Sequence, residues 1–275
     1  MLKLATPQRI IIGNTLIQYY IQDISRPIVC CFSAAGKLLT EKEASDSRVS
    51  AWGYDFFVRQ GHNVISFNTI KENHFFEEPL LFDYVQELGQ ELVIFPKRYG
   101  YGASMGAYGA TLHCESLNLD ELLLITPAYF GRAYPVSSRY NGKFILIYDP
   151  FFSKDHQDVI QYPTESTTLK FYGVGHQVIE SLAHIGYLKY LVLQFINSDG
   201  IDKNEFYSQI RKRKQLERYY SFLARNPTGK QTLKQRRVIR YYQLVWSLNN
   251  LGRIKDKITL KLTKSIRKKR NKYFQ

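Results

Sequence analysis

RYGYGASMGAYGA, residues 98–110, places four glycines around a single serine. A phosphate-binding loop would require Lys and then Ser or Thr after its last glycine, and Met105-Gly106-Ala107 stands there instead. The glycine spacing also fails to match a dinucleotide-binding fingerprint. Residues 102–106 read G-x-S-x-G, with a predicted strand before them and a predicted helix over residues 105–117 after them. The stretch therefore predicts a strained turn that exposes Ser104 between a strand and a helix.

The rest of the first two hundred residues alternates in the same way. Short β-branched or aromatic runs predict strands at residues 15–21, 27–33, 62–68, 97–102, 121–127, 143–149 and 168–173. Helical periodicity predicts helices at residues 50–61, 79–90, 105–117, 155–162 and 177–196. Strands that alternate with helices form βαβ units. The sequence therefore predicts an α/β fold with a doubly wound, mostly parallel sheet covered on both faces.

Charge divides the chain of 275 residues into two parts. From residue 200 onward, 22 Lys and Arg stand against four acidic residues, so residues 1–199 carry a formal charge of −4 within a total of +14. Gly200 and two aspartates interrupt the apolar pattern at residues 197–202, which predicts a domain boundary there. Apolar stripes in residues 200–275 predict three helices, separated at residues 225–230 and at Gly252. We expect a body of residues 1–199 with a basic helical C-terminal extension of residues 200–275.

Composition also bears on the expected cellular compartment. No apolar run approaches the roughly 20 residues of a membrane-spanning helix, and the first residues do not form an export signal. Cys30, Cys31 and Cys114 are odd in number and lie in apolar contexts, so we expect buried, reduced thiols in a cytoplasmic protein. The spacing of His and Cys indicates no metal site, and we expect neither a metal nor a cofactor.

A serine hydroxyl needs a neighbouring base, itself oriented by an acid, before it can act as a nucleophile. Of six histidines, His176 follows a predicted strand and two glycines, on a loop that can aim its ring. The acid is expected between the serine and the histidine in the chain, after the preceding strand. Asp149 and Asp155 both meet that condition, with Asp158 a weaker third candidate. Asp149 could instead open a turn and Asp155 could cap a helix, so the choice stays open.

Acyl transfer also requires donors for a developing oxyanion. One expected donor is the backbone N–H of Met105, directly after the serine. The second is expected from the small-residue turn after the strand at residues 27–33, where Ser33 or Ala34 could supply it.

Four segments, in order, carry a family resemblance: FSAAG (32–36), GASMG (102–106), DPFFSKD (149–155) and GVGH (173–176), each after a predicted strand. This order resembles the α/β-hydrolase superfamily over about residues 10–196 and excludes the tail. The resemblance implies a Ser–His–acid triad without a cofactor, with Ser104 as nucleophile, His176 as base and Asp149 or Asp155 as acid. Two departures are the missing His-Gly pair in the oxyanion segment and the short insertion at residues 128–142, which leaves no room for a large lid.

The functional prediction is a serine hydrolase that cleaves a carboxylic ester or thioester, or a related acyltransferase. Aromatic residues after the strand at residues 121–127, among them Tyr129, Phe130 and Tyr134, predict a substrate-binding loop suited to a carbohydrate ester. The alternative is a protein whose basic tail binds an anionic partner: nucleic acid, a membrane surface or an acidic glycan.

Overall fold

The structure, a computed structural model, describes residues 2–137, 140–198, 200–226, 232–249 and 251. It divides the chain into two compact units, Met1–Arg211 and Lys212–Gln275. Within the described residues, no helix combines the length and the apolarity needed to cross a lipid bilayer.

An eight-stranded sheet forms the centre of the first unit. Its strands are β1 (Gln8–Ile12), β2 (Thr15–Tyr20), β3 (Ile28–Phe32), β4 (Asn63–Thr69), β5 (Arg98–Ala103), β6 (Glu121–Ile125), β7 (Lys143–Tyr148) and β8 (Thr167–Lys170). They lie in the order β1-β2-β4-β3-β5-β6-β7-β8. The pairs β1–β2 and β2–β4 are antiparallel, and every pair from β4–β3 to β7–β8 is parallel. The predicted mostly parallel sheet is confirmed, and the chain changes winding direction between β3 and β5.

Helices cover both faces of this sheet. In the first unit they are α1 (Glu41–Ser45), α2 (Tyr54–Arg59), α3 (Pro79–Leu92), α4 (Met105–Leu112), α5 (Ser153–Val159), α6 (Val178–His184), α7 (Leu188–Asn197) and α8 (Lys203–Gln209). Every residue of β3, β4 and β6 is buried, as expected for parallel strands covered on both sides. Alternation along β3 sends Cys30 and Phe32 into one apolar core, and Val29 and Cys31 into the other. The three cysteines are buried and unbridged, as predicted.

The composition boundary and the structural boundary differ. Phe206 on α8 and the following Ile210 are buried in the core shared with α7, so the chain contributes to the first unit as far as Arg211. The second unit contains α9 (Glu217–Arg225) and α10 (Leu233–Asn249). The third predicted tail helix, around Ile254 to Ile266, lies outside the described residues.

Glycine at position 106 allows α4 to lie against the end of β3. A Cβ atom on Gly106 would sit 2.1 Å from the Phe32 carbonyl oxygen, and one on Gly102 would sit 2.2 Å from the Gly106 carbonyl oxygen. Both obstacles are backbone atoms, which cannot move aside without shifting β3 or α4. The glycines of the G-x-S-x-G motif are therefore required by the packing at this turn.

Gly106→Ala is expected to destabilise the protein by about 3 kcal/mol, the upper range for inserting a methyl group into a full site, and to lower the melting temperature by roughly 6–12 °C. Thermal unfolding followed by circular dichroism measures this. Gly36→Ala is the matched control, because a Cβ atom there meets nothing within 4 Å. Equal melting temperatures for the two variants would contradict the close contact.

Candidate active site

The carboxyl ends of the parallel strands bring the predicted site residues to one edge of the sheet. Ser104 follows β5, Asp155 lies in α5 after β7, and His176 lies in the loop after β8. Ser33 and Ala34 follow β3 directly, so this turn and Ser104 flank the place where the winding direction changes. Crevices at such a change are where open α/β sheets bind ligands.

Ser104 occupies a strained backbone conformation. Its φ and ψ are 54° and −122°, in a region that residues with a Cβ atom rarely adopt. Its N–H donates to the Ile125 carbonyl oxygen over 2.9 Å, and its own carbonyl oxygen accepts from the amides of Ala107 and Tyr108. These bonds attach the turn to β6 on one side and to α4 on the other, and they hold a conformation that costs about 1–3 kcal/mol.

A hydrogen-bonded chain joins Ser104, His176 and Asp155. His176 Nε2 lies 2.8 Å from Ser104 Oγ, and His176 Nδ1 lies 2.7 Å from Asp155 Oδ1. Asp155 is almost fully buried, whereas about a third of the His176 side chain stays exposed. When Nδ1 carries a proton and donates it to Asp155, Nε2 is free to accept the proton of the serine hydroxyl.

The charge of Asp155 acts on His176. Burial by itself lowers the pKa of His176, but the hydrogen bond to Asp155 and the negative charge of that residue outweigh burial and raise this pKa above its ordinary value. Burial raises the pKa of Asp155, and the bond to His176 opposes the increase. Among the described residues the second oxygen, Asp155 Oδ2, has no hydrogen-bond partner. The Asp155 charge is therefore compensated mainly by His176.

Asp149, the other candidate acid, bonds to the backbone instead. Its Oδ2 accepts from the N–H groups of Val174 and Gly175, each over 2.6 Å, and its Oδ1 accepts from the N–H of Phe151 over 2.9 Å. The side chain is fully buried. Burial raises the pKa of Asp149, and these backbone bonds oppose the increase. Asp149 thus fastens the loop that carries His176 to the end of β7, and does not itself bond the imidazole.

Two amides near Ser104 are unused. Among the described residues, neither the N–H of Met105 nor that of Ala34 makes a hydrogen bond. The N–H of Ser33 donates to the Phe67 carbonyl oxygen over 3.0 Å. Ser33 was predicted as an alternative oxyanion donor, and this interpretation is wrong because β4 already takes its N–H. Met105 and Ala34 keep free donors beside the close contact of α4 with β3.

A cavity of about 550 Å³ opens beside the triad. It is lined by residues of three segments, the loop after β6, α5 with its first flanking residue, and the loop after β8: Ala128, Phe130, Gly131, Phe152, Lys154, Asp155, Gln157, Asp158 and His176. Between β6 and β7 the described residues form no helix or strand, so no folded lid covers the cavity there.

The three predicted substrate-binding aromatics have different positions. Phe130 lines the cavity and is mostly exposed. Tyr129 was predicted to contact substrate, and this is wrong, because its ring is fully buried against Tyr108 and Tyr162. Tyr134 is half-buried and packs edge-on against Tyr162, with ring centroids 5.1 Å apart, and it does not line the cavity.

Sequence reasoning missed Phe152 and Lys154, which line the cavity beside Asp155. The signal was present, since both belong to the DPFFSKD segment that supplied the candidate acids. It also missed an ion pair between the segment after β4 and the loop after β6, where Arg132 Nε lies 2.8 Å from Glu77 Oε1 and the guanidinium covers the Phe75 ring at 3.7 Å. Within the described residues no cluster of three or more His, Cys, Asp or Glu is arranged to hold a metal ion.

The sheet order, with its change of winding direction between β3 and β5, and the strained serine turn after β5 define an α/β fold of the α/β-hydrolase type. No protein-family profile and no curated protein matches the sequence. Solved structures resemble it at low identity. An α/β serine hydrolase without a lid from Xanthomonas campestris covers 72% of this chain and 99% of its own, at 13% identity and a TM-score of 0.46.

Two other solved structures resemble this chain to a similar extent. The capsule O-acetyltransferase of Neisseria meningitidis serogroup A covers 71% of this chain and 96% of its own, at 13% identity and a TM-score of 0.48. A glycosylation-associated protein complex from Streptococcus agalactiae covers 69% of this chain and 46% of its own, at 15% identity and a TM-score of 0.48. Identities this low bear on the fold alone.

Asp149→Asn is expected to lower stability by about 2–3 kcal/mol, because an amide can accept through one oxygen only and leaves at least one of the three backbone N–H groups that bond Asp149 unpaired. The melting temperature should fall by roughly 4–12 °C. Asp155→Asn is the matched control, since it replaces an equally buried carboxylate that bonds only His176. Equal losses of melting temperature in the two variants would contradict the structural role of Asp149.

Proposed function

We propose that the protein is a serine esterase that forms an acyl-enzyme on Ser104. The observation that carries this proposal is the continuous chain from Ser104 Oγ through His176 to Asp155, with both heavy-atom distances in the hydrogen-bonding range, 2.8 and 2.7 Å. A base in direct contact with the hydroxyl, and an acid in direct contact with the base, is the arrangement that activates serine.

The reaction then follows from the positions of the groups. His176 Nε2 removes the hydroxyl proton as Ser104 Oγ attacks the acyl carbon, and Asp155 stabilises the imidazolium that results. The amides of Met105 and Ala34 donate to the oxyanion, supported by the amino terminus of α4. The imidazolium returns its proton to the leaving alcohol or thiol, and the C–O or C–S bond breaks. Water, deprotonated by His176, then attacks the acyl carbon; the bond from this carbon to Ser104 Oγ breaks, His176 returns the proton to Oγ, and the acid leaves.

The cavity favours a small acyl group on a polar alcohol. Phe130 and Phe152 provide aromatic faces, while Lys154, Gln157 and Asp158 provide hydrogen-bonding groups on the same walls. Aromatic faces combined with polar groups suit a sugar ring, whereas a long acyl chain would require an apolar channel. We propose that the alcohol is a carbohydrate hydroxyl and that the acyl group is short.

A fluorophosphonate probe tests the nucleophile directly, since it labels activated serines covalently. Labelling is expected in the wild-type protein and is expected to disappear in Ser104→Ala and in His176→Ala, while both variants keep the wild-type circular dichroism spectrum. Asp155→Asn should lose about 10⁴-fold in turnover of an activated acetyl ester. Near-wild-type labelling in a folded Ser104→Ala protein would refute the proposal.

The pH dependence of kcat/KM tests the base. His176 accepts a proton only when it is neutral, so activity falls as the pH drops through its pKa. Because Asp155 raises this pKa, the acid limb of the profile should lie above about 6.5, the ordinary value for histidine. In Asp155→Asn the two largest raising contributions are lost, while burial and the weaker attraction of Glu180 and Asp158 remain, so the residual activity should show an acid limb at lower pH. An acid limb at the same pH in the wild-type protein and in Asp155→Asn would exclude Asp155 as the partner of the base.

A further inference from the structure

The outer face of α10 presents large apolar side chains to solvent. Leu233, Tyr241, Leu244 and Leu248 are 74%, 62%, 58% and 54% exposed. Their spacing of eight, three and four residues places them on one side of the helix. We call these four residues the α10 row. Isolated exposed apolar residues are ordinary, but three leucines and a tyrosine on one face of one helix form a patch of the kind that marks a binding surface.

The opposite side of α10 is partly covered within the second unit. Tyr242 stacks on Tyr220 of α9, with ring centroids 5.3 Å apart and an interplanar angle of 21°. Ile239, Val245 and Trp246 are half-buried. The helix therefore packs on α9 with one side and leaves the α10 row for another contact.

Positive charge surrounds the α10 row. Arg237 and Arg240 lie on the same side of the helix, because they follow Leu233 by four and seven residues. Among the described residues of the second unit, nine Lys and Arg stand against the single acid Glu217. A partner must therefore provide both an apolar phase for the leucines and negative charge for the arginines.

We propose that α10 binds the surface of an anionic lipid bilayer, lying in its plane with the α10 row inserted among the acyl chains. A basic helix with a narrow apolar face is the form that interfacial helices take, and each nearby Lys or Arg adds to the attraction of anionic headgroups. Nucleic acid would satisfy the arginines and leave the leucines in water. A second copy of the unit would bring like charges together.

Vesicle co-sedimentation of the full chain tests this surface. Wild-type protein is expected to sediment with mixed phosphatidylcholine–phosphatidylserine vesicles at least about tenfold more strongly than with phosphatidylcholine alone. Leu244→Ala with Leu248→Ala should weaken binding to mixed vesicles by about tenfold or more, because the two leucines that would be buried in the bilayer are lost while alanine preserves the helix. Arg237→Glu with Arg240→Glu should weaken it as well.

A control pair removes exposed apolar side chains elsewhere. Leu80→Ser with Val93→Ser changes side chains of α3 and its carboxyl end that are 63% and 57% exposed, and vesicle binding should not change. All variants should keep the wild-type melting temperature and probe labelling of Ser104. Retention on heparin should fall only for the arginine pair, because heparin offers charge without an apolar phase.

Three outcomes would overturn the proposal. Equal sedimentation with the two kinds of vesicle would exclude recognition of anionic lipid. Wild-type sedimentation of the leucine pair would show that the α10 row does not enter the bilayer. Binding to an RNA oligomer that exceeds vesicle binding and is unchanged in the leucine pair would assign the surface to nucleic acid.

Discussion

The contact between the first turn of α4 and the end of β3 is the constraint on which the site depends. Gly106 has no Cβ atom, so the helix approaches the Phe32 carbonyl oxygen closely, and Gly102 leaves room for the chain to turn into that helix. The approach sets Ser104 in its strained conformation and leaves the amides of Met105 and Ala34 beside the place where the winding of the sheet reverses. The strain is offset by the Ser104 hydrogen bonds and by complete burial of Met105 and Ala107.

The two buried aspartates illustrate how surroundings, and not residue type, decide what a carboxylate does. Backbone N–H groups surround Asp149, and their dipoles stabilise its charge, so little of that charge is available to a neighbouring imidazole. Asp155 bonds His176 through one oxygen, and among the described residues its other oxygen bonds nothing. Its charge is therefore satisfied best when His176 is protonated, which is the state that proton transfer from Ser104 would create. Asp149 in turn holds the loop that gives His176 its direction.

Local sequence pattern predicted the parallel strands, the serine turn and the loop of His176. The parallel strands are buried apolar runs, the serine turn has a motif with steric reasons for each glycine, and His176 follows two glycines. β1 was missed although its signal is local: Gly13 and Asn14 form a two-residue hairpin turn to β2, with Gly13 at a φ of 55°. The antiparallel pairing of β2 with β4 joins segments that are distant in the chain, so no local pattern could predict it. The predicted helix at residues 177–196 is two helices, α6 and α7, because Gly186 adopts a φ of 75° between them. Asp149 and Asp155 have similar sequence contexts, and only the fold determines which carboxylate meets the imidazole and which meets the backbone.

The charged groups of the two units have different surroundings. In the first unit the Asp155 carboxylate is buried and lies at hydrogen-bonding distance from His176, so salt screens this charge little. In the second unit the cations around the α10 row lie at the surface, where salt screens them over about 8 Å at physiological ionic strength. Attachment through that face would concentrate the protein beside lipid-linked or surface-bound esters without changing the barrier once an ester reaches Ser104. Such a gain would act on the encounter with substrate, and so on the rate at low substrate concentration, and under the proposed mechanism it would leave kcat unchanged.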